Sequence, residues 1–283
     1  MTDEIARIDR LCIRRAGFEI PDMSFTIPRG SVVGMVGPNG AGKTTVIRTL
    51  LGLIVPDSGD VRVFDRPAGS PDALARIGIV LDQPTAAPEW RVDTLGRRLA
   101  PFYADWDAQH LNSMLDRLSV PRSQRVGELS RGQGVKLTLA TALAQHPELL
   151  ILDEPSSGLD PASRREIGDV IREFMVDPTR AVLFSTHITT DLDGLADELI
   201  MLANGRIAHR GALPDITEEF ALARGTGTPP IGNLLGLQRL GEQWSALIRT
   251  VDSAGFGPDI VIDTASIDDI VIHLGAEYEG VSA

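Results

Sequence analysis

The sequence predicts an α/β fold in which helices cover a mixed, largely parallel sheet. Short apolar runs alternate with helical spacing from residue 149 onward, which is typical of parallel strands joined by helical crossovers. Nearer the start, a glycine-rich turn at 37–42 joins an apolar run to a helix-compatible stretch. Apolar stretches at 5–13 and 18–27, broken by turn residues, add an antiparallel β portion at the N-terminus.

The glycine-rich turn has the composition of a complete phosphate-binding loop. Its residues are Gly37, Pro38, Asn39, Gly40, Ala41, Gly42, Lys43, Thr44 and Thr45. Glycines let backbone N–H groups converge on phosphate oxygens, and the helix that follows adds its positive end. In such a loop, Lys43 reaches the β- and γ-phosphates and the Thr44 hydroxyl binds Mg²⁺. The sequence therefore predicts a P-loop NTPase that binds a nucleoside triphosphate.

Length, composition and charge further limit the classes of protein to which this chain can belong. A chain of 283 residues with 43% hydrophobic content can bury one substantial core and a small additional domain. A net charge of −12 opposes nucleic-acid binding. The single Cys12 excludes an intrachain disulfide and suits the cytoplasm. No apolar run reaches the roughly 18 residues of a membrane span, so we expect any membrane role to come through a partner.

Helical spacing dominates residues 84–146, which predicts a helical subdomain inserted into the sheet. Leu111, Leu115 and Leu118 recur at intervals of four and three, so residues 107–118 should form an amphipathic helix. The elements predicted before this insertion are a helix over 44–53 and short strands over 61–63 and 77–81.

Strands and helices alternate again after the insertion. The predicted elements are strands over 149–152 and 181–185, a helix over 161–174 capped by Asp160, and a hairpin over 198–208. A Gly-, Thr- and Pro-rich stretch at 225–230 predicts a linker. We therefore divide the chain into a main domain at 1–215 and a small C-terminal extension at 216–283.

Two adjacent carboxylates, Asp153 and Glu154, follow the buried strand at 149–152. Ligands of open parallel sheets collect at the carboxyl ends of the strands. Asp153 fits the role of holding Mg²⁺, directly or through water. Glu154 fits the role of orienting or deprotonating an attacking water. With the phosphate loop, these residues predict hydrolysis of the bound triphosphate.

Ser130, Gly132 and Gln133 open a predicted helix that runs to about residue 145 and offers a second anion site. Taken with residues 157–160 and with His187 just past a strand, the order and spacing of these motifs resemble the ATP-binding cassette (ABC) family. The resemblance spans roughly residues 5–215.

This resemblance implies an ATP-binding and ATP-hydrolysing subunit of a membrane transporter, with ATP and Mg²⁺ as its ligands. It implies a homodimer of nucleotide-binding subunits paired head to tail, so that Ser130, Gly132 and Gln133 of one copy face the nucleotide held by Lys43 of the other. By the same resemblance, His187 contacts the γ-phosphate, and Asp160 is the downstream aspartate of the site.

Three positions depart from the family pattern. The family has a glutamine in the loop that leads to the helical region, whereas this chain has Asp82 at that position and Gln83 one place later. Both residues are candidates for binding the nucleotide, and Asp82 is also a candidate for binding the metal. Arg131 stands where glycine is usual. Arg15 falls where an aromatic residue stacks on adenine, and either its guanidinium or Phe18 is an alternative platform.

Three shorter sequence features resemble those of single-cassette subunits of bacterial ABC-2-type exporters. They are residues 102–107 around Trp106, the Ser-Arg-Gly-Gln form at 130–133, and residues 266–270. In those systems a separate integral membrane permease docks against the helical region, so we expect ATP-driven dimer closure to power export at the inner face of the cell membrane. The alternatives are a soluble ABC-type ATPase and an ATP-gated regulatory subunit outside transport.

Overall fold

The computed structural model describes residues 3–81 and 84–280, and the strands of this part of the chain form three sheets. The first sheet is antiparallel with the order β2-β1-β4-β5. Its strands are β1 (Glu4–Arg15), β2 (Phe18–Pro28), β4 (Ser58–Val63) and β5 (Arg66–Pro67). It confirms the antiparallel portion predicted at the N-terminus.

The central sheet has six strands in the order β10-β9-β3-β8-β7-β6. Its strands are β3 (Val32–Val36), β6 (Ile77–Val80), β7 (Leu149–Asp153), β8 (Ala181–Thr186), β9 (Glu198–Ala203) and β10 (Arg206–Ala212). All neighbours are parallel except β9 and β10, which form the predicted hairpin. The sheet is therefore mixed and largely parallel, as the sequence predicts.

Helices surround this sheet. They are α1 (Lys43–Leu50), α2 (Pro71–Leu74), α3 (Val92–Leu99), α4 (Ala108–Arg117), α5 (Arg131–Leu143), α6 (Pro161–Phe174), α7 (Leu213–Glu219) and α8 (Ile267–Gly280). The predicted extension of α1 to residue 53 is wrong, because Gly52 takes the left-handed φ of 71° and ends the helix. The predicted amphipathic helix at 107–118 is α4, with Asp107 as its N-cap.

The central strands are buried on both faces. On β7, Leu150 and Leu152 belong to one hydrophobic cluster, whereas Leu149 and Ile151 belong to the other. A strand covered by helices on both faces reads as a continuous apolar run, which explains the sequence of β7. Asp153, the last residue of β7, therefore lies at the carboxyl end of a strand that is fixed by packing on both faces.

The third sheet lies in the C-terminal extension and has the order β12-β13-β11-β14. Its strands are β11 (Phe220–Thr226), β12 (Leu235–Leu240), β13 (Gln243–Arg249) and β14 (Val261–Thr264). The linker predicted at 225–230 is wrong at its start, since Gly225 and Thr226 pair with Trp244 and Gln243 within the sheet. A Cβ on Gly225 would lie 2.6 Å from the indole of Trp244, so glycine is required there for the indole to pack against the strand.

The division proposed between residues 215 and 216 falls inside α7. A single hydrophobic cluster also runs from Leu199 and Met201 of the central sheet to Ile216, Leu247 and Ile270 of the extension. The extension is therefore packed directly on the sheet. No helix within 3–81 or 84–280 combines the length and apolarity required to cross a membrane.

Candidate functional site

The phosphate loop connects β3 to α1 and is fixed by close packing. A Cβ on Gly37 would lie 2.3 Å from the carbonyl oxygen of Leu202, so no side chain fits between the loop and β9. On the other side, a Cβ on Gly42 would come 3.0 Å from Cζ of Phe18. Gly42 also has φ of 111°, which favours glycine. The path of the loop therefore depends on glycine at both positions.

Lys43 is the first residue of α1, and its side chain is only 5% exposed. Its Nζ donates to the carbonyl oxygens of Gly37, at 2.7 Å, and Pro38, at 3.3 Å. The ammonium also lies 3.1 Å from Oε1 of Glu154, an ion pair without hydrogen-bond geometry. The lysine charge is thus held inside the loop and directed at the end of β7.

Asp153 is held through both of its carboxylate oxygens and is 7% exposed. The Thr44 hydroxyl donates to Oδ2 at 2.9 Å, and the Ser185 hydroxyl donates to Oδ1 at 3.0 Å. Ser185 stands opposite Asp153 because β7 and β8 pair in parallel register. A hydroxyl and a carboxylate side by side are the oxygen donors that Mg²⁺ prefers.

The donor chemistry therefore fits a magnesium ion that completes its coordination with phosphate oxygens and water. Across the described residues, no three His, Cys, Asp or Glu side chains converge into a metal cluster. A site built from Thr44 and Asp153 does not need such a cluster, since Mg²⁺ commonly takes one or two protein ligands alongside phosphates.

The Glu154 side chain contacts both Lys43 of the phosphate loop and His187. Glu154 has a left-handed φ of 53°, a conformation that costs a non-glycine residue about 1–3 kcal/mol. Its backbone N–H donates to the Ser185 carbonyl at 2.9 Å, which fixes the turn after β7. Its Oε2 then lies 2.6 Å from Nδ1 of His187, while Oε1 faces Lys43. This strained turn brings together three residues that the sequence singled out.

The segment after β8 is held by residues that the sequence analysis missed. Asp191 is 6% exposed and accepts hydrogen bonds from the hydroxyls of Ser156 and Thr186, the latter at 3.4 Å. Arg164 lies 3.6 Å from the other oxygen of Asp191. Ser156 and Asp191 are 35 positions apart, so no local sequence pattern indicates that they bond.

The N-terminus of α5 has the predicted cap. Ser130 Oγ accepts from the backbone N–H of Gln133 at 3.3 Å, and Gln133 Oε1 accepts from the N–H of Ser130 at 2.9 Å. Ser130 is exposed and Gly132 is half-buried. The two hydrogen bonds between Ser130 and Gln133 close the cap on its own backbone. One copy of the chain therefore leaves the cap facing solvent.

The remaining predicted residues have other surroundings. Asp160 caps α6, and hydrogen bonds from the backbone N–H and hydroxyl of Ser163 lower the pKa of this carboxyl. The Arg15 guanidinium donates to Asp57 and to the Val55 carbonyl, both at 3.2 Å. Asp82 and Gln83 lie outside the described residues.

Comparisons with known proteins agree on one family. The family model for ABC transporters matches residues 20–157. Nod factor export ATP-binding protein I from Rhizobium sp. (strain N33) is 37% identical over 207 residues, which cover 70% of this chain and 67% of the relative. An uncharacterized ABC transporter ATP-binding protein, YdbJ from Bacillus subtilis (strain 168), is 31% identical over 72% of this chain and 68% of its own length.

A solved ATP-binding subunit of an ABC transporter superposes with a TM-score of 0.69 at 25% identity. This match covers 75% of the present chain and 91% of the solved one. In eight curated relatives, the aligned region spans between 60% and 68% of the relative's own length.

Proposed function

Because the chain belongs to the ATP-binding cassette family of transporter ATPases, we propose that it binds and hydrolyses ATP to drive a separate membrane permease, as an exporter subunit. One observation carries the catalytic part of this proposal. The Glu154 carboxylate lies between the Lys43 ammonium, at 3.1 Å, and the His187 ring, at 2.6 Å. A carboxylate in that position can accept a proton from a water that attacks the terminal phosphate.

Each polar group at the end of β7 then has a role. Lys43 neutralises charge on the β- and γ-phosphates, and phosphate oxygens replace Glu154 as its partner. Release from Lys43 leaves Glu154 beside His187, where it can orient water. His187 contacts the γ-phosphate and responds to its loss. Stabilisation of developing charge by fixed groups is commonly the largest contribution to such catalysis.

Thr44 and Asp153 would hold Mg²⁺, which when bound neutralises charge on the phosphate oxygens. Ser185 supports this role because its hydroxyl fixes the second oxygen of Asp153 at 3.0 Å. Supporting residues of this kind orient the ligands of a metal.

We assign adenine stacking to Phe18 in preference to Arg15. The ring of Phe18 lies against the phosphate loop at Gly42, whereas the Arg15 guanidinium is already bonded to Asp57 and the Val55 carbonyl. Phe18→Ala should weaken ATP binding about tenfold, since stacking on a base is worth about 1–3 kcal/mol. Arg15→Ala serves as the matched comparison, and a larger loss in that variant would reverse the assignment.

Hydrolysis by the purified full chain is the first test. Steady turnover of ATP with Mg²⁺ is expected, and Lys43→Ala should abolish nucleotide binding measured by fluorescence of a labelled analogue. A wild-type chain that binds ATP but never turns it over would favour the ATP-gated regulatory subunit instead.

We further propose that a second copy completes each site through Ser130, Gly132 and Gln133. The exposed cap of α5 supports this arrangement. Mixing Lys43→Ala with Ser130→Ala tests it, because a head-to-tail heterodimer has one site with both defects and one intact site. Partial recovery of turnover on mixing is expected. No recovery would mean that Lys43 and Ser130 serve the same nucleotide within one chain.

A groove beside the helical insertion supports docking of the permease. It has a volume of about 370 Å³ and is lined by β6 and by exposed apolar groups, including Phe102 at 78% exposure and Leu74 at 39%. An apolar patch of this kind at the surface marks an interaction site, and a cytoplasmic helix of the permease is the occupant we propose.

Membranes solubilised in detergent provide the test of this partner. The tagged chain should retain an integral membrane protein, identified by mass spectrometry, and Phe102→Asp should lose it while still binding ATP. Val176→Asp is the matched control, since Val176 is 81% exposed and does not line the groove. Equal retention by Phe102→Asp would place the docking surface elsewhere.

A further inference from the structure

The segment that carries His187 is contacted by the C-terminal extension. We define the switch segment as residues 186–193. Thr189 within it is 3% exposed, and its hydroxyl donates to Oδ1 of Asp268 at 2.5 Å. Asp268 lies in the first turn of α8, outside the region that matches the family model. A hydrogen bond therefore connects the extension to a residue two places from His187.

The acceptor of this bond is rigidly placed. Ser266 and Asp269 bond reciprocally at the start of α8, with the Ser266 N–H to carboxylate distance at 3.0 Å and the Asp269 N–H to hydroxyl distance at 3.1 Å. Ile267 and Ile270 are buried in the same cluster as the central sheet. A capped helix start that is anchored on the sheet holds Asp268 in one position.

The other side of the switch segment is also fixed. Asp191 bonds to Ser156 and Thr186, and Leu192 is fully buried against β3. A Cβ on Gly34 of β3 would lie 2.6 Å from Leu192 Cδ1, so glycine makes room for this contact. The segment therefore has anchors on the sheet and on the turn after β7, and Thr189 adds the anchor on the extension.

The carboxylate of Asp193 in the switch segment lies near the carboxylate of Asp268 in α8, and the two repel each other. Burial, with the carboxylates of Asp268 and Asp191 nearby, raises the pKa of Asp193. Like charges at close range repel each other, so no ion pair among these groups draws the two elements together. The hydrogen bond that Thr189 donates to Asp268 offsets this repulsion.

We propose that the C-terminal extension positions His187 for hydrolysis, with Asp268 as a positioning residue that acts through Thr189. This inference rests on the proposed ATPase function. An event that lifts α8 from the switch segment would slow hydrolysis while leaving ATP affinity unchanged, because the phosphate loop is held by its contacts with β7, β9 and Phe18. The extension is thereby a regulatory arm of the hydrolytic site.

A double-mutant cycle on the full chain tests the turnover effect. Thr189→Val removes the donor, and Asp268→Ala removes the acceptor. Each should lower kcat for ATP about three- to tenfold with KM unchanged, the range expected when one hydrogen bond that orders a reacting group is lost. The double variant should be no slower than either single one. Thr189→Ser and Asp268→Asn keep a donor or an acceptor and should restore most of the rate.

Asp263→Ala is the matched control, because Asp263 lies on β14 of the same extension, where its carboxylate accepts a hydrogen bond from Arg224 at 2.9 Å. Its kcat should equal that of the wild type. Amide hydrogen exchange provides a second readout that needs no turnover. Peptides covering residues 186–193 should exchange faster in Asp268→Ala than in the wild type and in Asp263→Ala.

The outcomes separate the two hypotheses. If the wild type hydrolyses ATP and Asp268→Ala retains full kcat, the inference is overturned while the ATPase function stands. Unchanged exchange at 186–193 overturns it as well. If the wild type shows no hydrolysis, the proposed function fails, and the exchange experiment alone decides whether Asp268 holds the switch segment.

Discussion

A glutamate flanks each end of strand β7, but the two glutamates make different contacts. Just before the strand, Glu148 accepts from Nε of Arg76 at 2.5 Å and from Arg29 at 3.2 Å. At its other end, Glu154 faces Lys43 at 3.1 Å and His187 at 2.6 Å. Each carboxylate thus lies between two nitrogen groups, and the two glutamates flank the same buried strand.

The difference lies in the geometry of the contacts. Hydrogen bonds from Arg76 and Arg29 complete the pairing of Glu148 and lower its pKa. Glu154 instead has a strained backbone, and its Oε1 has no hydrogen bond from Lys43. A fully bonded carboxylate stabilises the fold, whereas one held at the carboxyl end of a parallel strand remains available to a ligand. Substitutions at the two ends should therefore separate stability from activity.

Glu154→Gln should give the largest effect. ATP turnover should fall about 10²- to 10⁴-fold, since a positioned general base contributes that much, while ATP binding is retained. Phosphate release and nucleotide binding are the two measurements. Glu148→Gln is the same change at the opposite end of β7 and should leave turnover intact. Equal losses of turnover in both variants would remove the distinction between the two ends.

Ser185→Ala should come next. It leaves Oδ1 of the buried Asp153 without its hydroxyl donor at 3.0 Å. Loss of such a supporting contact lowers metal affinity or activity about 10- to 100-fold. Turnover measured across a Mg²⁺ titration should therefore shift to higher Mg²⁺ concentration. A variant with the Mg²⁺ dependence of the wild type would argue against Asp153 as the metal ligand.

Glu148→Gln should lower the free energy of unfolding by about 1 kcal/mol at pH 7, since partial exposure screens the two arginine contacts. The lowered pKa of Glu148 means that its contribution is present above the ordinary value of 4.5 and is lost as the pH falls. Denaturant unfolding at several pH values measures this effect. A difference from the wild type that grows in acid would contradict the assignment.

Asp193→Asn, in the switch segment after β8, should give the smallest effect, a small gain in the free energy of unfolding. Because burial and neighbouring carboxylates raise the pKa of Asp193, its charge opposes folding at neutral pH. The variant should gain less than about 0.5 kcal/mol at pH 7, since solvent screens an exposed carboxylate. The gain should vanish as the pH falls below 3.8, where the group is neutral in both states. Thermal unfolding at pH 7 and in acid is the measurement.

Local chemistry explains which predictions from sequence hold. Asp160 and Pro161 start α6 at the predicted residue, because a cap and a proline act within one helical turn. Asn204 and Gly205 close the hairpin with φ of 47° and 73°, the angles that the dipeptide favours. Where a distant residue decides the outcome, prediction fails. Gly225 joins β11 because Trp244 packs on it, and no local signal reports that contact.

The sequence by itself determined the phosphate loop, the Asp153-Glu154 pair and the parallel sheet, because glycine spacing, strand ends and apolar runs are properties of neighbouring residues. Only the tertiary structure decided that Ser185 would hold Asp153, that Asp191 would bond to Ser156, and that Asp268 would bond to Thr189. These contacts join residues 32 to 79 positions apart in the chain. Strand register and packing of the extension, which depend on the whole core, bring them together.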